Sequence, residues 1–167
     1  MLIFGVRTAL AKYDIVKPGG SLTLTSGGAA FHPGKGAAIG GALNAGLLTF
    51  TKGLAAELAE KKIRVNTVVP GLVKTDLFLK LGKSRDEQQA AFENGAKTLS
   101  VGFVGTPEDV AEAYLYTARA DYANGSIVVI GMFPPFPQLY STVGSRPNTE
   151  RQTEEATSDG CISTARV

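Results

Sequence analysis

The sequence of 167 residues predicts an α/β fold, a doubly wound parallel sheet of about three strands with flanking helices. Three observations lead there. Helix-like and strand-like segments alternate along the chain. Each gap between strands is long enough for a right-handed crossover carrying a helix. The last strand-like run, Ser126 to Ile130, is nearly all apolar, as in strands covered on both faces.

From Leu2 to about Tyr13, Ile3, Val6, Leu10 and Tyr13 recur at three- and four-residue spacing, an amphipathic helix stopped by Pro18, Gly19 and Gly20. SLTLTS (Ser21 to Ser26) alternates leucine with hydroxyl residues between glycines, which marks a strand. After a Gly-rich loop, Ala37 to about Glu60 is a long helix with one stripe of Leu43, Leu47, Phe50, Leu54 and Leu58. Lys61 to Gly71 supplies the second strand through Ile63, Val65, Val68 and Val69, and Pro70-Gly71 ends it. Within an excursion from Leu72 to Val104, Asp76 to Lys83 and Arg85 to Lys97 look helical, and the intervening Gly82 and Gly95 leave their boundaries open. Thr106-Pro107-Glu108-Asp109 is a helix start: threonine caps free N–H groups, proline suits the first turn, and the acids complement the helix dipole. That helix carries Val110, Ala113, Tyr114 and Thr117, and the third strand follows Asn124-Gly125. Residues 1–137 thus make one α/β domain, while 138–167 lack any period and read as a tail.

Composition bounds the partners. Seventeen basic against fifteen acidic residues give a net charge of +2 with no block of one sign, so no nucleic-acid or anionic-membrane footprint is expected. One cysteine (Cys161) and one histidine (His32) build neither an internal disulfide nor a zinc site of the usual kind. The sequence shows neither a signal peptide nor a membrane span, and a cytoplasmic location is expected.

The stretch LTLTSGGAAFHPGKGAAIGGALNAGLLTFTKGLAAELAEKKIRVNTVVPGLVKTDLF resembles the short-chain dehydrogenase/reductase family, with its strand ending in serine, long helix ending LAxELA, and IRVNxVxPGxxxT. GTPEDVAEAYLY and NGSIVVIG look like the family's penultimate helix and last strand, so the resemblance runs from Met1 to about Met132. It implies a partial Rossmann-like sheet corresponding to the family's second half. The Gly-rich turn that would bind the cofactor's pyrophosphate belongs to the half not represented here. In the register fixed by Lys52 to Leu58, the catalytic tyrosine falls on Gly40 and the catalytic lysine on Asn44. Ser26 matches the carbonyl-orienting serine, Asn66 the asparagine of IRVN, and Pro70, Gly71, Val73 and Thr75 the loop that touches nicotinamide in family members. Hydride chemistry of the family type needs a phenol to move a proton and a lysine to lower its pKa, and neither glycine nor asparagine does this.

Gly34, Gly36, Gly40 and Gly41 lie between a strand and a helix, where a phosphate loop belongs. The spacing fails: Ile39 stands where G-x-G-x-x-G needs glycine, five residues rather than four separate Gly28 from Gly34, and Gly36 follows Lys35 in place of Ser or Thr. The candidate catalytic residues are therefore Ser26, His32 and Asn44. Each has a plain alternative. Ser26 donates to a substrate carbonyl or caps the next loop. His32 carries a proton or is a solvated loop residue before Pro33. Asn44 contacts substrate or bonds to another helix. Tyr114 and Tyr116 are expected in the core and on the surface of their helix.

Three uses are open. The first is a cofactor-independent enzyme, with no metal, that cyclises, isomerises or eliminates a small molecule, acting as a homodimer through the first helix (Ile3, Val6, Leu10) and the long helix (Leu47, Phe50, Leu54). The second is a non-catalytic pseudo-subunit binding a full-length reductase. The third is a remnant of an NAD(P)-dependent oxidoreductase, using Pro70, Gly71, Val73 and Thr75 if nicotinamide is bound at all.

Overall fold

A computed structural model describes residues 15–131. The expected first helix, with Ile3, Val6 and Leu10, the tail, and Cys161 lie outside the described residues. In order, the elements are β1 (Ser21–Thr25), a 3-10 turn (Gly28–Ala30), α1 (Ala38–Glu57), β2 (Arg64–Pro70), α2 (Leu77–Lys80), α3 (Arg85–Thr98), α4 (Pro107–Arg119) and β3 (Ile127–Ile130). The strands form one parallel sheet in the order β1-β2-β3, as the alternation predicts.

The sheet's two faces are set by the pleat. In β1, Leu22 and Leu24 point to the face covered by α1, where Leu24 and Val65 pack with Leu47, Leu54 and Ala55. Ser21, Thr23 and Thr25 point to the opposite face, against α4. The Ser21 hydroxyl donates to the Thr117 carbonyl (3.1 Å), Thr23 and Thr117 share a hydroxyl–hydroxyl bond (2.9 Å), and Thr25 bonds to the Tyr114 phenol (2.7 Å). Thr117 is fully buried, so α4 meets β1 along a seam of paired hydroxyls rather than aliphatic side chains.

β2 is the central strand, with Val65 to Val69 all buried. Burying each valine contributes about 2 kcal/mol relative to exposure. Its polar residues are all paired. Thr67 bonds to Thr51 of α1, which in turn donates to the Leu47 carbonyl (2.8 Å). Asn66 donates to the Ala123 carbonyl (2.8 Å) and accepts from the Ser126 N–H (3.0 Å), tying the turn before β3 to the sheet centre. Arg64 donates to the carbonyls of Thr117 and Ala118 (2.8 Å each), placing a cation on the carboxyl end of α4.

Three expectations need correction. Leu47, Phe50 and Leu54 pack against the chain's own core, so the long helix does not offer them to a second subunit. Leu43 is 66% exposed and Ile39 is 79% exposed, because the first turns of α1 run past the end of the sheet; the buried stripe therefore starts at Leu47. β3 borders the sheet with Val129 49% exposed, so its apolar run does not mean cover on both faces.

The helix starts are as expected. Thr106 and Asp109 form a capping box on α4 with Pro107 in the first turn, and Ser84 and Glu87 do the same for α3. α3 runs unbroken through Gly95, which is buried inside it: a Cβ there would lie 2.5 Å from Leu72 and 3.0 Å from Val104. Phe78 and Phe92 stack in tilted fashion at 5.9 Å between α2 and α3.

Two predictions follow from these pairings. Asn66→Ala leaves the Ala123 carbonyl with only the 3.4 Å bond from Arg64 and the half-buried Ser126 N–H without its acceptor, and is expected to cost roughly 1–3 kcal/mol, whereas Thr23→Val, whose partner Thr117 keeps its bond to the Tyr114 carbonyl, costs less than about 1 kcal/mol. Urea unfolding of both variants checks this, and equal costs would disprove the assignment. In α3, the Ser84 backbone N–H and then Lys83 hold the exposed Glu87 carboxylate below its ordinary pKa. A carboxylate with a depressed folded pKa stabilises fully above the ordinary glutamate range and loses that contribution as pH falls through the folded value. The protection factors of amides in the first turn of α3, exchange rates taken relative to the unfolded chain at the same pH, are therefore expected to fall in acid, and Glu87→Gln to remove that pH dependence.

Candidate functional site

In parallel α/β sheets, ligands bind beyond the carboxyl ends of the strands, where loops diverge to opposite faces. Here a cavity of about 600 Å³ lies at that end of β1 and β2. Thr25, Ser26 and the turn Gly27 to Ala29 form one side and Asn44 of α1 stands beside them. The loop after β2 contributes Pro70 to Val73 and Thr75. Leu77, Phe78 and Leu81, in and just after α2, form an apolar wall completed by Pro107, Val110 and Tyr114 of α4.

The pleat of β1 distributes the polar groups. Thr25 turns toward α4 and bonds to Tyr114, while the buried Ser26 turns toward α1 and donates to the Asn44 carbonyl (3.0 Å), with the Asn44 amide oxygen at 3.4 Å. The loop from Gly27 to Pro33 lies close on α1 because residue 41 is glycine: a Cβ there would sit 2.8 Å from Pro33 and 3.0 Å from the Ala29 carbonyl. Thr75 is fixed from α3, where the Gln88 side chain donates to its carbonyl (2.8 Å).

The structure thus brings Ser26 and Asn44 together in one lining with Pro70, Gly71, Val73 and Thr75. It does not bring His32 to them. His32 is exposed, outside the lining, with its backbone N–H bonded to the Gly28 carbonyl (3.0 Å). Gly40 is also outside the lining, and a Cβ there would meet nothing within 4 Å, so position 40 faces open space. Ser26 lines the cavity and spends its hydroxyl hydrogen on α1 rather than on the loop that follows it.

Sequence reasoning missed Tyr114. It was assigned to the core, yet its ring lines the cavity and its hydroxyl holds Thr25 at 2.7 Å. The signal was present: Tyr114 and Thr117 are three apart on one face of a helix, opposite the hydroxyls of Ser21, Thr23 and Thr25.

Electrostatically the lining is bare. Among the described residues it contains no Asp, Glu, His, Lys or Arg, and the one ionisable side chain there is the Tyr114 phenol. No cluster of metal-ligating side chains occurs among the described residues. Such a cavity can orient a molecule through a few hydrogen bonds between apolar walls. The residues present match the uncharged ring end of a nicotinamide dinucleotide, at Pro70, Gly71, Val73 and Thr75, but supply no cation for its pyrophosphate. Among the described residues, no helix is long and apolar enough to cross a membrane.

Comparison with known proteins agrees with this geometry. Residues 2–131 match the family model described as enoyl-(acyl carrier protein) reductase. Human dehydrogenase/reductase SDR family member 4 is 37% identical over 115 residues, covering 68% of this chain and 40% of that protein. A small-chain dehydrogenase solved in complex with NADPH superposes with a TM-score of 0.68 at 36% identity, covering 75% of this chain and 56% of that one. The MalC reductase/Diels-Alderase of Malbranchea aurantiaca gives a TM-score of 0.67 at 31% identity, covering 78% of this chain and 49% of that one. The chain spans about half the length of these relatives, and with residues 2–131 matched to the family model it belongs to the short-chain dehydrogenase/reductase family.

Proposed function

We propose that this chain is a cofactor-independent enzyme that binds a small organic molecule in the cavity at the ends of β1 and β2 and promotes its isomerisation, cyclisation or elimination. The observation that carries the reading is the pairing of loss and retention at Asn44. The family's phenol position holds Gly40, which lies outside the cavity, and its amine position holds Asn44, which lines a cavity of about 600 Å³ together with Ser26 and the Pro70 loop. Orientation between fixed hydrogen-bonding groups accelerates reactions that need no hydride, by restricting the substrate to a reactive conformer. That a neighbour at 31% identity is named a reductase/Diels-Alderase supports the view that this scaffold can serve bond-forming chemistry beside reduction. In this role the Asn44 amide N–H2 donates to a substrate oxygen, Ser26 accepts from a substrate hydroxyl while its own hydrogen stays on the Asn44 carbonyl, and His32, exposed outside the lining, takes no direct part.

A second reading has its own support. Pro70, Gly71, Val73 and Thr75 all line the cavity, and a relative at 36% identity was solved with NADPH, so a nicotinamide-dependent oxidoreductase is the alternative. A homodimer, if formed through α1, would use the exposed Ile39 and Leu43.

The two readings separate in one experiment. The purified chain is incubated with a panel of unsaturated organic substrates, with and without NADPH, and products are followed by chromatography. Product formation without NADPH, lowered about tenfold or more by Ser26→Ala and by Asn44→Ala, is the expected outcome. Turnover only in the presence of NADPH, or saturable NADPH binding at micromolar concentration, establishes the oxidoreductase instead.

A further inference from the structure

From the arrangement of hydrogen-bonding groups in the cavity we infer that Tyr114 is a ligand-contacting donor of this site, and that the ligand is an uncharged molecule whose carbonyl or ether oxygen accepts the phenol's hydrogen bond. The inference rests on the cavity being the working site and goes further by naming a residue and a ligand class.

Hydrogen counting on the cavity's polar side chains leaves donors on the Asn44 amide, whose oxygen alone is bonded, on the Thr75 hydroxyl, which accepts from the Leu77 N–H, and on the Thr25–Tyr114 pair, of which the phenol is the one set among the apolar side chains of the wall. Ser26 has one hydroxyl hydrogen, and it is committed to the Asn44 carbonyl at 3.0 Å, so Ser26 presents lone pairs to the cavity. Thr25 and Tyr114 bring two hydroxyl hydrogens to a single mutual bond of 2.7 Å, and among the described residues neither hydroxyl has another protein partner. One O–H is therefore left over. Thr25 is exposed at the rim, whereas the Tyr114 ring is half-buried in the wall beside Val110. When Thr25 donates to Tyr114 the phenol hydrogen is free to point at a ligand. Polarisation along the pair makes that phenol a better donor than a lone one.

The ligand's charge follows from the lining. Burying an anion or cation without a partner costs several kcal/mol, and no side chain here offers an opposite charge. Leu77, Phe78, Leu81 and Val110 instead match an apolar body. A neutral molecule with one or more oxygen acceptors satisfies the leftover donor without leaving a buried charge unpaired.

The probe is acetyl-dimethylaminonaphthalene, an uncharged fluorescent ketone whose emission moves to the red when its carbonyl accepts a hydrogen bond, compared with the carboxylate analogue of the same ring system. The full chain is expected to bind the ketone with red-shifted emission and to bind the carboxylate at least about tenfold more weakly. Tyr114→Phe keeps the ring and removes the donor, and is expected to weaken ketone binding about fivefold and to return the emission toward the blue. Thr25→Val leaves the phenol in place and keeps the red-shifted emission. Thermal melting of each variant confirms that it folds. If Tyr114→Phe changes neither affinity nor emission while Ser26→Ala or Asn44→Ala weakens binding, the cavity is a ligand site but this inference is wrong. Equal binding of the carboxylate overturns the ligand class. Failure of the parent protein to bind either probe overturns both this inference and the choice of site.

Discussion

The two-residue pleat of β1 governs both the packing of this molecule and the chemistry of its cavity. Over five residues it sends leucines to one helix and hydroxyls to the other, so α1 is held by hydrophobic contact and α4 by a line of hydrogen bonds. At the end of the strand the same alternation continues into the cavity, delivering Thr25 to Tyr114 and Ser26 to Asn44. A one-residue slip would exchange the two sets, pressing hydroxyls into the leucine core and leucines onto Thr117. The register with β2, from Ser21 opposite Arg64 to Thr25 opposite Val68, is thus a condition of the site as much as of the fold.

Around that strand, family features have separated into those that build and those that react. Asn66, part of the IRVN motif, is wholly enclosed and bonded at both ends of its amide; its work is to fasten the turn before β3. Gly40 and Asn44, at the reactive positions, depart from the family pattern on the exposed and half-buried sides of α1. A framework can keep its structural amides and lose its reactive groups because the former are enforced by burial and the latter only by chemistry.

Much of the fold was legible in the sequence because its signals are local. SLTLTS, the valine-rich second strand, Thr106-Pro107 and the Ser84 to Glu87 box each declare their element within a few residues. What was not legible required knowing which elements meet. Periodicity placed Leu43 on the same stripe as Leu47, but only the sheet's length shows that Leu43 lies beyond it. SIVVI looked central because apolar composition does not tell a border strand from a middle one. Ser26 and Asn44 could be paired through the family register, whereas His32, placed by proximity in sequence, lies outside the cavity. Tyr114 is 89 residues from Thr25: its spacing with Thr117 marks a shared helix face, but not which strand that face meets.

The apolar wall of the cavity has a thermodynamic consequence. Leu77 and Leu81 are 57% and 65% exposed although they line it, since α2 is only four residues long and stands out from the body of the domain. A guest seated against them removes aliphatic surface from water that the protein alone cannot cover. Complex formation at this site should therefore carry a negative heat-capacity change, making its enthalpy more favourable as temperature rises, whatever reaction follows.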